Sequence, residues 1–257
     1  MMCIHSSAVV SDGAELGVDV EIGAYSIVGP HVKLGDRTKI MPHVFLDGHT
    51  TIGSECTVFP FASLGSLTQD LKYKGGVSFV EIGDRTTIRE YVTINSGTAE
   101  GETTRVGSGS LIMAYCHVAH GSRVGDRVIM ANGASVSGDG VIEDDATIGG
   151  MTGIHQFTRI GRFAMVGGMS KITQDVPPYF LVEGNPAEAR GVNTVKLQRL
   201  GVSAEIQSML KKAFKMLCRD GLSTRQAVEK MRAELTSCAE LDFLIGFIES
   251  SERGIVK

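Results

Sequence analysis

Counting in sixes from Ile4, the chain meets Val10, Leu16, Ile22, Val28, Leu34, Ile40, Leu46, Ile52, Val58 and Leu64, then in the same phase Ile82, Ile88 and Ile94. The count runs on from Val106 through Ile112, Val118, Val124, Met130, Val136, Ile142, Ile148, Ile154, Ile160 and Val166 to Ile172. Asp70, Gly76 and Glu100 are the exceptions. A period of six matches neither the roughly 3.6 of a helix nor the roughly 8–12-residue spacing of strands in a meander. The residue two before the aliphatic is small or β-branched, as at Ala8, Ala14, Val20, Ser26, Val32 and Thr38, and later at Cys116, Ser122, Val128 and Ala134. Residues two apart on a strand share a face, so each hexad turns one large and one small side chain inward. Glycine often follows the large one (Gly17, Gly23, Gly29, Gly35, Gly53, Gly83, Gly125, Gly161), where a corner is expected to need a permissive φ. The pattern predicts a parallel β-helix of hexapeptide repeats. Three short strands close a triangular coil of roughly 18 residues, and neighbouring turns lie about 4.8 Å apart.

Composition agrees with a fold of many turns and small inward residues: Gly is 32 of 257, aromatics are 6% and Trp is absent. The chain is 42% apolar, enough for a sizeable core. With 21% charged residues and a net charge of −4, it lacks the charge excess of disorder and the basic field of a nucleic-acid binder. Five cysteines at 3, 56, 116, 218 and 238 form no C-x-x-C pair, which argues for a reducing compartment and against a cysteine zinc site. The N-terminal MMCIHSSAVV has no basic region followed by an apolar stretch, and no run approaches the about 18 apolar residues of a membrane span. The expectation is a cytoplasmic protein without stable membrane insertion.

The exceptions to the count mark two external loops, near 65–79 and 96–105, which resume in register; long loops on a rigid scaffold usually carry function. After Ile172 the period stops at QDVPPY, where Pro177 and Pro178 break it. Ser203–Asp220 then shows helical spacing closed by Gly221, and Ser223-x-x-Gln226 and Ser237-x-x-Glu240 read as capping boxes opening two more helices. The division expected is a coil over 1–176 and a helical domain over 177–257.

Three stretches are more specific than the period: QDLKYKG (69–75), HVAHG (117–121) and GGMTGIHQF (149–157), followed by QDVPPY (174–179) and GNP (184–186). Together they resemble the UDP-N-acetylglucosamine O-acyltransferases that open lipid A synthesis, and the resemblance runs essentially end to end. It implies a left-handed coil and a homotrimer with active sites between neighbouring coils. The implied reaction moves a 3-hydroxyacyl chain from acyl carrier protein to the sugar 3-position of a UDP-sugar, with no covalent intermediate, no cofactor and no metal.

Such chemistry needs a base for the attacking hydroxyl and N–H donors for the oxyanion. An imidazole, with its ordinary pKa of about 6.5, suits the first role. The resemblance makes His120 the general base, His117 a substrate-contacting neighbour and Gly138, one turn on from His120, the oxyanion donor. Asp70 and Lys72, with Gln69 beside them, match residues reaching the sugar nucleotide across the subunit boundary. His155 and Gln156 match acyl and substrate contacts, and Asn193 and Arg199 match positions near the nucleotide, where a guanidinium suits phosphate oxygens. Gly168 matches the position limiting acyl length and leaves a groove open, which nearby Lys171 shortens.

The chain departs from the commonest pattern of these enzymes at several positions. Gly121 stands where Asp usually follows the base, Asp139 where His is common one turn on, Val195 and Leu200 where Glu and Arg are usual, and Asn95 at another common His. These departures leave open a 3-amino sugar as acceptor. Asp139 is one turn from Gly121, so a carboxylate there is a candidate to orient His120 in place of the missing Asp. Arg105, Arg123 and Arg159 fall in one column, a stripe suited to an acidic carrier protein.

Other readings use the same scaffold: an acyltransferase with a different donor or acceptor, a zinc hydratase of the carbonic anhydrase type, or a silent scaffold. The sister N-acyltransferase usually carries an extra N-terminal domain, whereas the hexads here begin at Ile4. A zinc hydratase needs about three converging histidines. His31 and His49 share a column, but His117 lies elsewhere.

Overall fold

The computed structural model describes residues 3–257. Among these, mostly two-residue strands stack into three parallel sheets of 11, 9 and 8 strands, the faces of a triangular coil. Ile4 pairs with Ile22, Val10 with Val28 and Leu16 with Leu34, one turn apart in each sheet. Most strands alternate as the hexad demands: in Lys39–Ile40 the lysine is exposed and Ile40 is buried, whereas both residues of the terminal Cys3–Ile4 are exposed. The core is therefore a stack of aliphatic layers running the length of the coil.

The two loops leave that stack unbroken because each inserts a whole number of hexads. Thr57 pairs with Thr87 across the first loop and Thr87 with Leu111 across the second, so the turn lengthens from 18 to 30 and 24 residues. A one-residue slip of register would turn the following strand's aliphatic face outward.

The small inward positions tie the turns together. Ser26 Oγ donates to the Met41 carbonyl at 2.8 Å and accepts from Val44 N–H at 3.2 Å. Thr38 does the same with Gly53 and Cys56, and Ser110 with Gly125 and Val128. A hydroxyl satisfied twice can be buried at these sites without penalty.

The glycines after the large residue have a different cause from the one expected. Gly17, Gly23 and Gly35 do not lie in the left-handed region; a Cβ on Gly35 would sit 2.5 Å from the Gly53 carbonyl carbon, so the close approach of successive turns excludes a side chain. Left-handed corners are instead taken by residues such as Asp19, Tyr25, Arg37 and His43, at φ of 55–61°. The strain there, of order 1 kcal/mol or more each, is offset by packing between turns. Tyr25, His43, Phe61, Tyr91 and Tyr115 form one continuous stack, with ring centroids 4.9–5.2 Å apart.

At the C-terminal end, Phe180–Gly184 adds a parallel strand beside Met165–Val166 and turns back antiparallel through Ala187–Val192. Four helices follow: α1 (Thr194–Arg199), α2 (Ala204–Cys218), α3 (Thr224–Glu234) and α4 (Ala239–Glu249). Ser223 and Gln226 form the expected capping box on α3. The box expected at Ser237 is absent: Cys238 is the N-cap, and Ser237 donates instead to Asp242 at 2.8 Å. The helices close on the coil through Phe180 against Phe214 and through two cation–π contacts, Arg162 over Phe243 at 3.7 Å and Arg159 over Phe247 at 4.1 Å. Buried Asp175 joins both parts, accepting from Arg159 N–H and from Ser251 Oγ, each at 2.8 Å.

This layering predicts unequal effects from adjacent residues of one strand. Ile40→Ala should cost about 2–5 kcal/mol of stability by chemical denaturation. Lys39→Ala, which loses only an exposed pair with Glu21, should stay within about 0.5–1 kcal/mol.

Candidate active site

The register stacks particular side chains along the edge between the 9- and 8-stranded sheets. His117 pairs with Ser135 and Ser135 with Gly153 on one side; Arg105 pairs with Arg123 on the other. Glu102, His120, Gly138 and Gln156 follow one another down this edge, one per turn. Gly138 has a steric reason to lack a side chain. The His120 ring lies directly on its backbone, and a Cβ there would be 2.3 Å from Cε1 and 2.4 Å from Nε2.

The first loop folds over this edge and encloses a cavity of about 530 Å³, with Gln69, Asp70 and Lys72 on one wall and His117, His120, Gly138 and Gln156 on the other. Its base is held by Asn95, whose Nδ2 donates to the Leu67 carbonyl at 3.1 Å. The residue standing where a histidine is common thus serves the loop's anchorage. Asp70 accepts from its own loop at Lys72 N–H, 2.9 Å, and places Oδ2 3.7 Å from His120 Nε2. The chain therefore brings its own Asp70 to its own His120.

Burial first, and the nearby His120 second, push the His117 pKa below the ordinary imidazole range. Its Nδ1 shares a 2.7 Å hydrogen bond with Thr93 Oγ1. On His120, Nδ1 is buried without a hydrogen-bond partner. The bond expected from Asp139 is not made. Asp139 occupies a left-handed corner (φ 58°) that directs its carboxylate over Gly121, beside Glu102. Glu102, His120 and Asp139 offer ligand atoms all within 4.8 Å of one another. Burial and then the Glu102 charge raise the Asp139 pKa above the usual carboxylate value.

The other expected residues lie outside this cavity within one chain. His155 is exposed and contacts the Gln156 carbonyl. Asn193 caps α1, accepting from Lys196 N–H at 3.2 Å and donating to the Phe163 carbonyl at 2.9 Å. Arg199 is exposed at the end of α1, as are Val195 and Leu200 beside it. Gly168 stacks on Gly150, and Lys171 is exposed on the strand paired with Gly153. His31 and His49 stack on each other with centroids 4.4 Å apart, away from His117.

The arginine column forms, but it is not a free basic stripe. Arg105 pairs with Glu81 at 3.0 Å, and Arg159 is held by Phe247 and by Ser250 at 3.1 Å. Arg105 and Arg123 line a larger groove of about 780 Å³ together with Glu81, Asp126, Glu143 and Asp144, so its charge is mixed. Glu102 is the site residue that reading the sequence missed. Counting one turn back from His120 would have found it.

Fold and cavity together define a hexapeptide-repeat transferase. Residues 103–138 match the bacterial transferase hexapeptide family (six repeats), and 175–256 match the second domain of UDP-N-acetylglucosamine O-acyltransferase. The chain is 46% identical over its full length, and the relative's, to an acyl-[acyl-carrier-protein]–UDP-N-acetylglucosamine O-acyltransferase from Syntrophobacter fumaroxidans. Among solved structures, LpxA from Acinetobacter baumannii is 42% identical with a TM-score of 0.95 over 99% of both chains. The UDP-N-acetylglucosamine acyltransferase from Bacteroides fragilis is 37% identical with a TM-score of 0.96, over 98% of this chain and 99% of that one. The chain belongs to the UDP-N-acetylglucosamine O-acyltransferase family, and its coil is the left-handed β-helix.

The pKa displacement of His117 has a direct readout. In an NMR titration its ring should protonate below the ordinary imidazole pH of about 6.5. In His120→Ala, with the like charge removed and the burial retained, the midpoint should rise but stay below that value. No movement would mean that the two rings do not interact.

Proposed function

We infer that this protein transfers a 3-hydroxyacyl chain from acyl carrier protein to the 3-position of UDP-N-acetylglucosamine, the first step of lipid A biosynthesis. The observation that carries the residue assignment is His120. Its ring lines the cavity with Nε2 3.7 Å from the Asp70 carboxylate and the Gly138 backbone directly beneath it.

In the proposed reaction, His120 Nε2 takes the proton of the sugar hydroxyl as its oxygen attacks the thioester carbonyl carbon. Gly138 N–H donates to the oxyanion, and its missing side chain leaves the carbonyl room to approach. Collapse breaks the carbon–sulfur bond, and His120 returns the proton to the departing carrier thiol. Asp70 favours the imidazolium formed in between. His117, kept neutral, contacts the acceptor; Gln69, Lys72 and Gln156 contact the substrate from the cavity walls. His155, Asn193 and Arg199 serve the nucleotide and acyl ends, and Gly168 with Lys171 sets the reach of the acyl groove. Asp139, which makes no hydrogen bond to His120, acts on it through its charge.

Direct attack suits the thiol nearest the site: Cys116 points into the coil, and burial pushes its pKa up to about 11, so it is no nucleophile at neutral pH. No cofactor enters the scheme. We assign the coil (1–176) to the chemistry and the C-terminal part (177–257) to the nucleotide end.

We further propose a homotrimer. The exposed stack from Tyr25 to Tyr115, continued along the same corner by exposed Met151 and Met169, supports a face covered by another copy. A cytoplasmic location is supported by five unpaired cysteines. No helix of the described residues is long and apolar enough to cross a membrane.

The test is transfer from a panel of acyl carrier protein thioesters to UDP-N-acetylglucosamine and to its 3-amino analogue, with products identified by mass spectrometry. The hydroxyl sugar should be acylated, and His120→Ala should lower kcat by about 10²–10⁴-fold without unfolding the protein. Exclusive use of the amine, or a His120→Ala variant within tenfold of wild type, would contradict the reading.

A further inference from the structure

We propose that Glu102 is a positioning residue for His120, and that Glu102 and Asp139 together replace the carboxylate that the chain lacks at Gly121. The proposal rests on His120 being the base. Gly121 lies at φ 65°, but the conformation does not demand glycine, since Asp139 and Asp145 occupy equivalent corners at 58° and 60°. What excludes a side chain is occupancy: a Cβ on Gly121 would lie 2.4 Å from Asp139 Oδ1 and 2.7 Å from Glu102 Oε1. Two carboxylates, one from the turn before His120 and one from the turn after Gly121, already fill the space beside the base.

The geometry of Glu102 suits this role. It stands where the second loop rejoins the coil, one turn from His120 along the same edge. Its Oε2 accepts from the backbone N–H groups of Thr98 and Ala99, which fixes the carboxylate and leaves Oε1 turned toward Gly121. Thr104 holds the other side of the site, accepting from Gly121 N–H at 3.0 Å. His120 Nδ1 is buried and unpartnered, and one nitrogen of the ring lies within 4.8 Å of an oxygen of each carboxylate. When Nε2 takes the acceptor's proton, the ring becomes a cation between them. Burial first, and the Glu102 charge second, raise the Asp139 pKa, and a cation beside the two carboxylates relieves the like-charge part. An interaction stronger in the transition state than in the ground state accelerates the step.

The groups facing His120 are Asp70, Glu102, Asp139 and His117, with Arg123 acting on Asp139 from the adjoining strand. Removing one of the anions makes the ring harder to protonate, so the base stays free to lower pH. Glu102→Gln keeps an acceptor for Thr98 and Ala99 while removing the charge. It should lower kcat about tenfold, part of the roughly 10²–10⁴-fold that a positioned base supplies, with KM little changed. It should also move the acid limb of the kcat/KM profile to lower pH. Glu102→Gln/Asp139→Asn should move the limb further. Gly121→Asp, placed in a Glu102→Ala/Asp139→Ala background where it has room, should recover part of the lost kcat and bring the limb back.

Wild-type kcat in Glu102→Gln, or a lower kcat with the acid limb unmoved, would overturn the proposal, because a merely structural residue gives the second result. A His120→Ala variant with near-wild-type activity is a different failure: it removes the base assignment, and this proposal falls with it.

Discussion

Backbone hydrogen bonds between successive turns of the coil hold each residue over its equivalent in the next. His117 N–H donates to Ala134 and Ala119 N–H to Val136, each at 3.0 Å, and the pattern recurs in all three sheets. Because the turns cannot slide, side chains far apart in sequence become neighbours at about strand spacing. The placement of the His120 ring on the backbone of Gly138, and of two carboxylates around Gly121, follows from that ladder. A shift of one residue would turn the aliphatic stack outward, so the core and the site share one register.

Much of this was legible in the sequence, because a period of six leaves little freedom. The phase of Ile82 and Val106 revealed the loops, and the register shows why the phase survives them. The column spacing also placed Gly138 against His120 correctly. What the period could not convey was the reason for each small residue. Gly17, Gly23 and Gly35 look like corner glycines, yet the close approach of successive turns excludes their side chains, while the corners hold residues such as Asp19 and Tyr25, the aromatic ones stacked on one another. The box read at Ser237 slipped by one residue because Cys238 takes the cap and Ser237 finds Asp242. Arg159 looked free because its partner, Phe247, lies on a helix that no coil periodicity describes.

The electrostatics of the site are assembled from loops as much as from the coil. Asp70 arrives on the first loop, which Asn95 pins at its base, and Glu102 arrives at the end of the second. The coil contributes the imidazole, the glycine beneath it and Asp139. The family fixes the reaction class, and glycine at 121 with aspartate at 139 sets the surroundings of His120 in this chain. That division is consistent with a rigid scaffold carrying its chemistry at the edges.

The central claim is direct transfer: a base and an N–H donor aligned on one edge act on two substrates, with no acyl group stored on the protein. Rapid-quench sampling of the first turnover, with intact-protein mass measured beside the product, tests it most directly. The account predicts acylated UDP-sugar accumulating from the first time point while the protein's mass stays unchanged. A protein species heavier by one acyl chain, forming before product and decaying as product appears, would contradict it.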